Sequence, residues 1–240
     1  MGTNFETVEG AATTRVGGRP RQVDVADIVR AGRELGLRDL SLNAVAARLG
    51  VTATALYRHV DGRWGLERLV GESLLDDLVL VDDPAHDTLR HLLSFGLQLR
   101  TFIVHRPGLA GYLQTLFPRG ASGRRLMADE LAALVRRGYA EDAAIVLSSA
   151  VASLAIGYAA AEEAQRDRAD GLDGQRDDAL AGLRVDERLA PGHADLPVVE
   201  SEEYVRLMLT AAIGGLLAAA PPGRPVRQIV AELRAAGEGA

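Results

Sequence analysis

Tyr57, Arg58 and His59 are three consecutive residues whose side chains can each donate a hydrogen bond to an anionic oxygen. They lie in the stretch LGVTATALYRHVDGR, residues 49–63, between two glycine-containing breaks. Arg58 can in addition form a bidentate contact, the geometry that a guanine edge or a phosphate accepts. Consecutive residues of a helix point about 100° apart, so the three side chains cannot share one helix face. The stretch is therefore either a solvated surface or a surface that contacts something wide.

A helical wheel separates these three side chains into distinct positions. If the stretch is helical, Leu56 and Val60 point together toward a core, and Arg58 points in the opposite direction. Tyr57 and His59 then lie on opposite flanks of Arg58. Any exposed short helix also presents polar residues outward, so the wheel alone leaves a plain surface open.

This arrangement suits a helix lying in a DNA major groove. Arg58 is placed to contact base edges, and Tyr57 and His59 are placed to donate to phosphates on either side. Thr54 and Ala55 can pack against a thymine methyl group. The local pattern therefore predicts a nucleic-acid contact with little hydrogen-bonding capacity beyond Arg58.

The surrounding elements are predicted to be three short helices, each opened by a polar cap. Their caps and ends are Asp24 and Gly36, Ser41 and Gly50, and Thr52 and about Val60. The turn between the second and third helices is a few residues long and contains glycine, which is typical of a helix-turn-helix. A longer helix is predicted over 63–80.

The charge distribution supports a division of the chain into two parts. The net charge is −6 over 240 residues, yet residues 15–70 hold ten arginines against six acidic residues. Arg19 and Arg21, in the polar arm 1–22, are predicted to enter a neighbouring minor groove. All 27 basic residues are arginine, and no cysteine is present to form a disulfide or a thiolate metal site.

The remainder of the chain is predicted to be helical. Helices are expected over 85–105, 107–117, 121–137, 141–166, 201–220 and 225–236. Residues 167–200 are predicted to be a mobile or partly helical loop. Residues 143–161 run without a charge, but their acidic flanks and alanine content favour a buried or interface helix over a membrane span. The N-terminus lacks the pattern of a signal peptide.

Residues 23–74 resemble the DNA-binding domain of TetR-type (TetR/AcrR) transcriptional regulators, and LYRHV is close to the tetracycline-repressor subgroup. The matching segments are LSLNAVA, AARLGVTATALYRHVDGR and RWGLERLV. The resemblance implies an all-α fold with an N-terminal three-helix helix-turn-helix domain and a larger C-terminal helical domain for ligand binding and dimerisation. The expected organisation is an arm at 1–22, a DNA-binding domain at 23–70 with helix 63–80 as connection, and a ligand-binding and dimerisation domain at 81–240.

The resemblance also implies roles for individual positions. Residues matching Tyr57, His59 and Arg63 commonly contact phosphates, and those matching Asn43, Ala53, Ala55 and Arg58 can meet bases. The complete predicted DNA-binding set is Arg19, Arg21, Ser41, Asn43, Thr52, Ala53, Thr54, Ala55, Tyr57, Arg58, His59 and Arg63. The chain departs from the family where Arg63 replaces the usual lysine, Ala53 is small, and Leu42 replaces a phosphate-contacting threonine.

The resemblance implies a cytoplasmic homodimer that binds operator DNA and a small-molecule effector. Helices 141–166 and 201–220 are rich in small residues and are the predicted dimer interface. The ligand pocket is then expected between helices 85–105, 107–117, 121–137 and 141–166. The predicted pocket residues are Phe95, Leu99, Phe102, His105, Tyr112, Leu116, Phe117, Ser149, Ser153 and Tyr158. Taken singly, such residues are more often plain core than ligand contacts.

Three functions follow from the sequence. The first is a repressor that a lipophilic effector releases from its operator. The second is a DNA-binding dimer without an effector, or one acting as an activator. The third, an all-α enzyme, lacks a nucleophile elbow, a phosphate-binding loop, a cofactor fingerprint and metal-ligand spacing. No catalytic residue, metal site or cofactor is therefore predicted, and no membrane partner.

Overall fold

The computed structural model describes residues 23–118, 120–194 and 196–238. These residues form twelve α-helices and no strand, so the predicted all-α fold class is confirmed. The helices are α1 (Val25–Leu35), α2 (Leu42–Leu49), α3 (Ala53–Leu56), α4 (Gly62–Leu75), α5 (Thr88–Val104), α6 (Leu109–Leu116), α7 (Ala121–Arg136), α8 (Glu141–Arg166), α9 (Ala169–Val185), α10 (Ala190–His193), α11 (Ser201–Ala219) and α12 (Val226–Glu238).

Local capping sets the ends of the first two helices. The Asp24 side chain accepts a hydrogen bond from the backbone N–H of Asp27, and α1 ends at Gly36, whose φ is +75°. Ser41 Oγ accepts from the N–H of Ala44 at 3.1 Å. Each cap satisfies a backbone donor that the first helical turn leaves free. The first two helices therefore begin and end where the sequence predicts.

The N-terminal helices share one small core. This core contains the fully buried side chains of Ile28 of α1, Val45 of α2 and Leu56 of α3. It is completed by two fully buried residues of α4, Leu66 and Val70. A short helix such as α3 is stabilised mainly by this packing, since isolated helices of that length are not stable in water.

Helix α8 is the central element of the larger helical bundle. It packs against α5, α6, α7 and α11. Leu147, Val151, Ala155 and Ala159 form its buried stripe at a spacing of four residues. Among the described residues it is the one helix long and apolar enough to cross a membrane by length and composition, a test that core helices of soluble proteins also pass.

The predicted end of α4 is wrong. Helix α4 ends at Leu75 rather than at residue 80, because Asp76 and Asp77 place negative charge at the helix C-terminus, where the dipole disfavours it. For residues 167–200, the partly helical alternative of the prediction is confirmed, since α9 covers 17 of these residues. None of the α9 residues whose burial is described is buried. These residues therefore form no core-facing apolar stripe by which the sequence could reveal the helix.

Candidate DNA-binding surface and ligand cavity

The turn between α2 and α3 has the geometry of a tight helix-turn-helix. Gly50 adopts the left-handed conformation, with φ +68° and ψ +33°, which favours glycine. Its N–H donates back to the carbonyls of Ala46 and Ala47, so α2 ends cleanly. Fully buried Leu56 then fixes α3 against the core. The exposed side of α3 and the residues after it form one continuous surface.

Helix α3 is shorter than the sequence predicts. It ends at Leu56, and Thr52 makes no side-chain cap, contrary to its predicted role. The N–H groups of His59 and Val60 both donate to the carbonyl of Leu56, at 2.9 and 3.0 Å, so the chain tightens into a turn. A four-residue helix without a capping bond has too few hydrogen bonds to hold a further turn.

The three side chains of the opening stretch therefore lie on the turn after α3. Tyr57 keeps a right-handed helical conformation, with φ −63° and ψ −11°. Tyr57, Arg58 and His59 are all exposed, and Tyr57 exposes 59% of its surface. A regular 100° wheel does not fix their directions beyond Leu56, but all three remain on the outer surface beside α3.

Ion pairing distinguishes the arginines of this surface. Arg48 is paired with Glu34, and Arg63 Nε lies 2.7 Å from Glu67 Oε1. Arg58 and Arg68 have no carboxylate partner among the described residues, and both are exposed. A phosphate or base edge can therefore be bound by Arg58 or Arg68 without breaking an existing ion pair.

The other predicted DNA-binding residues differ in how available they are. Asn43, Thr52 and Thr54 are exposed, whereas Ala53 and Ala55 are half-buried. Arg19 and Arg21 lie outside the described residues, and Ser41 already uses its hydroxyl as the α2 cap. The DNA-binding roles of this whole set stay predictions.

Trp64 is an exposed aromatic residue that the sequence analysis did not select. It lies in the first turn of α4, next to Arg63, and exposes 57% of its surface. Its indole N–H can donate a hydrogen bond to a phosphate oxygen. The signal was present in the sequence as the one tryptophan of the chain, directly after a candidate phosphate-binding arginine.

A cavity of about 400 Å³ lies inside the larger bundle. Its described walls are mainly apolar, with a few polar groups, as is common in small-molecule sites. It is lined by Leu75, Leu78, Leu80, Phe95, Leu99, Leu113, Gln114, Phe117, Pro118, Gly123, Leu126, Met127, Glu130, Ser148, Ser149, Ala152, Ser153 and Ile156. Helices α5, α6, α7 and α8 all contribute, together with the end of α4.

Five of the ten predicted pocket residues line this cavity, namely Phe95, Leu99, Phe117, Ser149 and Ser153. Their contact with a ligand stays a prediction. The spacing of Phe95 and Leu99 on α5 and of Ser149 and Ser153 on α8 is four residues in each case. Such pairs lie on one helix face, which is why the sequence could place them together.

The other five predicted pocket residues lie elsewhere. The Phe102 ring lies under the Arg106 guanidinium at 3.5 Å, and exposed His105 contacts the carbonyl of Thr101. Tyr112 is buried where α6 meets α4, and Leu116 and Tyr158 are half-buried outside the cavity wall. His105, Tyr112 and Leu116 were chosen by proximity in sequence, which does not determine which side of a helix faces the cavity. Phe102 was chosen because it shares a helix face with Phe95 and Leu99, and Tyr158 for its hydroxyl group.

Glu130 of α7 is a cavity residue that the sequence analysis missed. It is 5% exposed, and its Oε1 lies 3.0 Å from His91 Nε2 on α5. His91 Nδ1 lies 3.0 Å from Asp82 Oδ1. Hydrogen bonding from Arg137 to Asp82 holds the pKa of that carboxyl far below its usual range. Because His91 and Glu130 are 39 positions apart, the sequence gives no sign that they pair.

Helix α4 is joined to the cavity wall by a polar contact at the start of α7. The Glu72 carboxylate accepts from the N–H of Gly120 at 2.8 Å and of Gly123 at 3.2 Å. Asp76 accepts from Ser122 Oγ at 2.5 Å. Two carboxylates therefore stabilise the positive end of the α7 dipole. Arg125 of α7 also donates hydrogen bonds to the backbone carbonyls of Leu75, the last residue of α4, and of Leu78 just after it.

Exposed apolar residues mark two outer faces. Tyr204, Leu207 and Met208 of α11 are exposed at helical spacing, so they lie on one face. Ile145 and Val146 of α8 are exposed near the start of that helix. Both helices belong to the predicted dimer interface.

Comparisons with known proteins agree with this architecture. No protein-family model matches the chain. One curated relative, an HTH-type transcriptional regulator of Saccharopolyspora erythraea, is 26% identical over 176 residues, which cover 72% of this chain and 71% of the relative.

Solved structures extend the likeness over most of the chain. The TetR family protein ActR of Streptomyces coelicolor, in complex with actinorhodin, has a TM-score of 0.72 at 22% identity, covering 85% of this chain and all of ActR. A TetR variant of Acinetobacter baumannii in complex with minocycline has a TM-score of 0.56 at 17% identity, covering 80% and 92% of the two chains. The predicted resemblance to TetR-type regulators is confirmed by these neighbours.

Proposed function

We propose that this chain, which has the fold of the TetR-type transcriptional regulators, is a cytoplasmic homodimeric repressor released from its operator by a small lipophilic effector. The curated relative and the structural neighbours support the coarser assignment to DNA-binding transcriptional regulators. Two neighbours were solved with actinorhodin or minocycline bound, which supports an effector for this chain as well. No catalytic role is proposed.

The contact between α4 and α7 is the observation that carries this proposal. Glu72 and Asp76 of α4 hold the start of α7, and α7 carries Met127 and Glu130 into the cavity wall. At its other end, α4 packs beneath the helix-turn-helix through buried Leu66. Helix α4 thus contacts both the cavity wall and the core beneath the proposed DNA-binding surface.

An effector that fills the cavity would shift the protein between two conformations. Leu75 and the residues after α4 line the cavity, so a bound molecule presses on the end of α4 directly. In a dimer, a small rotation of α4 changes the distance between the two recognition surfaces. Half-sites on B-DNA are about 34 Å apart, so a changed distance lowers operator affinity.

At the DNA, Arg58 is proposed to contact bases, since it is exposed and has no ion-pair partner among the described residues. Tyr57, His59 and Arg63 are proposed to contact phosphates. The exposed apolar faces of α8 and α11 are proposed to form the dimer interface. Burying such faces against a second copy removes apolar area from water, which favours association.

A gel-shift assay on the region upstream of the protein's own gene tests this function. At low salt, the protein should shift this fragment in preference to a scrambled duplex of equal length. Affinity should fall steeply as salt rises, because phosphate contacts release counterions. A lack of sequence preference at every salt concentration would contradict the proposal.

A further inference from the structure

Glu130 is the single ionisable side chain among the described residues that line the cavity. It is 5% exposed and surrounded mainly by apolar groups such as Phe95 and Leu126. Burying a carboxylate among apolar groups is unfavourable unless its oxygens receive hydrogen bonds. Both carboxylate oxygens of Glu130 therefore need hydrogen-bond donors.

Only one oxygen of Glu130 has such a partner. Oε1 lies 3.0 Å from His91 Nε2, and no other hydrogen bond or ion pair reaches the carboxylate from the described part of the chain. Oε2 thus has no hydrogen-bond donor among the described residues, and Glu130 is part of the wall of a cavity large enough for a small molecule. A ligand can supply the missing donor.

The residues behind Glu130 determine which kind of donor fits. His91, 4% exposed, lies between Glu130 and Asp82, with one ring nitrogen 3.0 Å from each carboxylate. Asp82 is also paired with Arg136 and Arg137. The positive charges of Arg136 and Arg137 balance the negative charges of Asp82 and Glu130, so the cluster has no excess negative charge that would attract a cation.

We propose that Glu130 is the polar anchor of the cavity and accepts a hydrogen bond from a hydroxyl group of a neutral, otherwise apolar effector. The inference rests on the proposed effector binding and specifies the chemical class of the effector. His91 is a positioning residue, because it fixes Oε1 and leaves Oε2 directed to the ligand. Phenols and aliphatic alcohols on hydrocarbon frameworks both belong to this class.

Three fluorescent probes that share one aromatic framework test the inference. They are pyrene, 1-hydroxypyrene and protonated 1-pyrenemethylamine, titrated into the full-length protein at pH 7. One hydrogen bond to a charged acceptor should make 1-hydroxypyrene bind about tenfold more tightly than pyrene. The cationic amine should bind no more tightly than pyrene.

Variants of the cavity wall separate the anchor from general packing. Glu130→Met should remove the preference for 1-hydroxypyrene and leave pyrene affinity within about threefold, because an unbranched side chain of similar length refills the space. Pyrene binding by this variant also reports that the cavity is still folded. Asp129→Asn is the matched control, since Asp129 is an acidic residue of the same helix that does not belong to the cavity lining, and it should keep the tenfold preference.

The possible results distinguish the two proposals. Equal affinities of pyrene and 1-hydroxypyrene for the wild type, or an unchanged preference in Glu130→Met, would overturn the anchor while leaving the cavity as a ligand site. Tightest binding of the amine would replace the neutral donor with a cation and would also overturn it. Binding of none of the three probes would count against the effector cavity itself.

Discussion

Replacing Glu72 with glutamine should weaken the junction between α4 and α7. The carboxylate accepts two backbone N–H groups, from Gly120 and Gly123, at the start of α7. The glutamine carbonyl can accept one of them, while its NH2 group faces the other donor. The variant thus loses a charge-assisted bond and leaves one backbone N–H unsatisfied.

The expected cost follows from these two bonds. A hydrogen bond to a charged group contributes about 1.5–3 kcal/mol, and an unsatisfied part-buried donor costs a similar amount. We expect the free energy of unfolding to fall by about 2 kcal/mol, because solvent and small shifts recover part of the loss. For a chain of this size, each kcal/mol lowers Tm by about 2–4 °C, so the expected decrease is about 4–8 °C.

Thermal unfolding followed by circular dichroism, at one fixed protein concentration, measures this decrease. Asp129→Asn is the control, since Asp129 lies on the same helix but forms an exposed pair with Arg125 at 3.8 Å. Such a pair contributes less than about 1 kcal/mol. Hydrogen exchange at the Gly120 and Gly123 amides should accelerate only in Glu72→Gln. If the two variants unfold at the same temperature, the proposed role of Glu72 in this junction is wrong.

Three further predictions concern the DNA surface, the backbone and pH. In operator titrations, Arg58→Ala should lower the ratio of specific to scrambled affinity about tenfold, whereas Tyr57→Phe should weaken both DNAs alike. Gly108→Ala should lower Tm by several degrees. The φ of this residue is +87°, and an added Cβ would lie under 3.0 Å from backbone atoms of the α1–α2 loop. An unchanged Tm would refute this prediction. Because Arg137 lowers the pKa of Asp82, ionised Asp82 stabilises the fold above about pH 4, and this stabilisation is lost as pH falls toward the lowered pKa. Urea unfolding should therefore show Asp82→Asn less stable than wild type at pH 7 and pH 5, with a gap that narrows below pH 4; a gap that is constant with pH would contradict the ionic role.

The sequence predicted best where structure depends on neighbouring residues. Helices α1 and α2 begin directly after their caps Asp24 and Ser41, because capping is a bond between residues three apart. Helix α8 was predicted with its observed bounds, because acidic residues lie at both ends of its uncharged run. The cavity residues Phe95 and Leu99 of α5 followed from their four-residue spacing.

The sequence predicted poorly where structure depends on distant contacts. Helix α3 ends early because no local cap supports it, and the residues after it are held by the core through Leu56 and Val60. Glu130 resembles an ordinary solvated residue of an amphipathic helix until His91, 39 positions away, is brought against it. The bond between Glu72 and the start of α7 likewise spans 48 positions.

DNase I footprinting of the region upstream of the protein's own gene is the most direct test of a dimeric, operator-binding regulator. The account predicts protection of two inverted half-sites whose centres are separated by about one helical turn of DNA or a multiple of it. At the same protein concentration, the Arg58→Ala variant should not protect the two half-sites. Protection of a single stretch without two-fold symmetry, or no protection at low salt, would contradict the account.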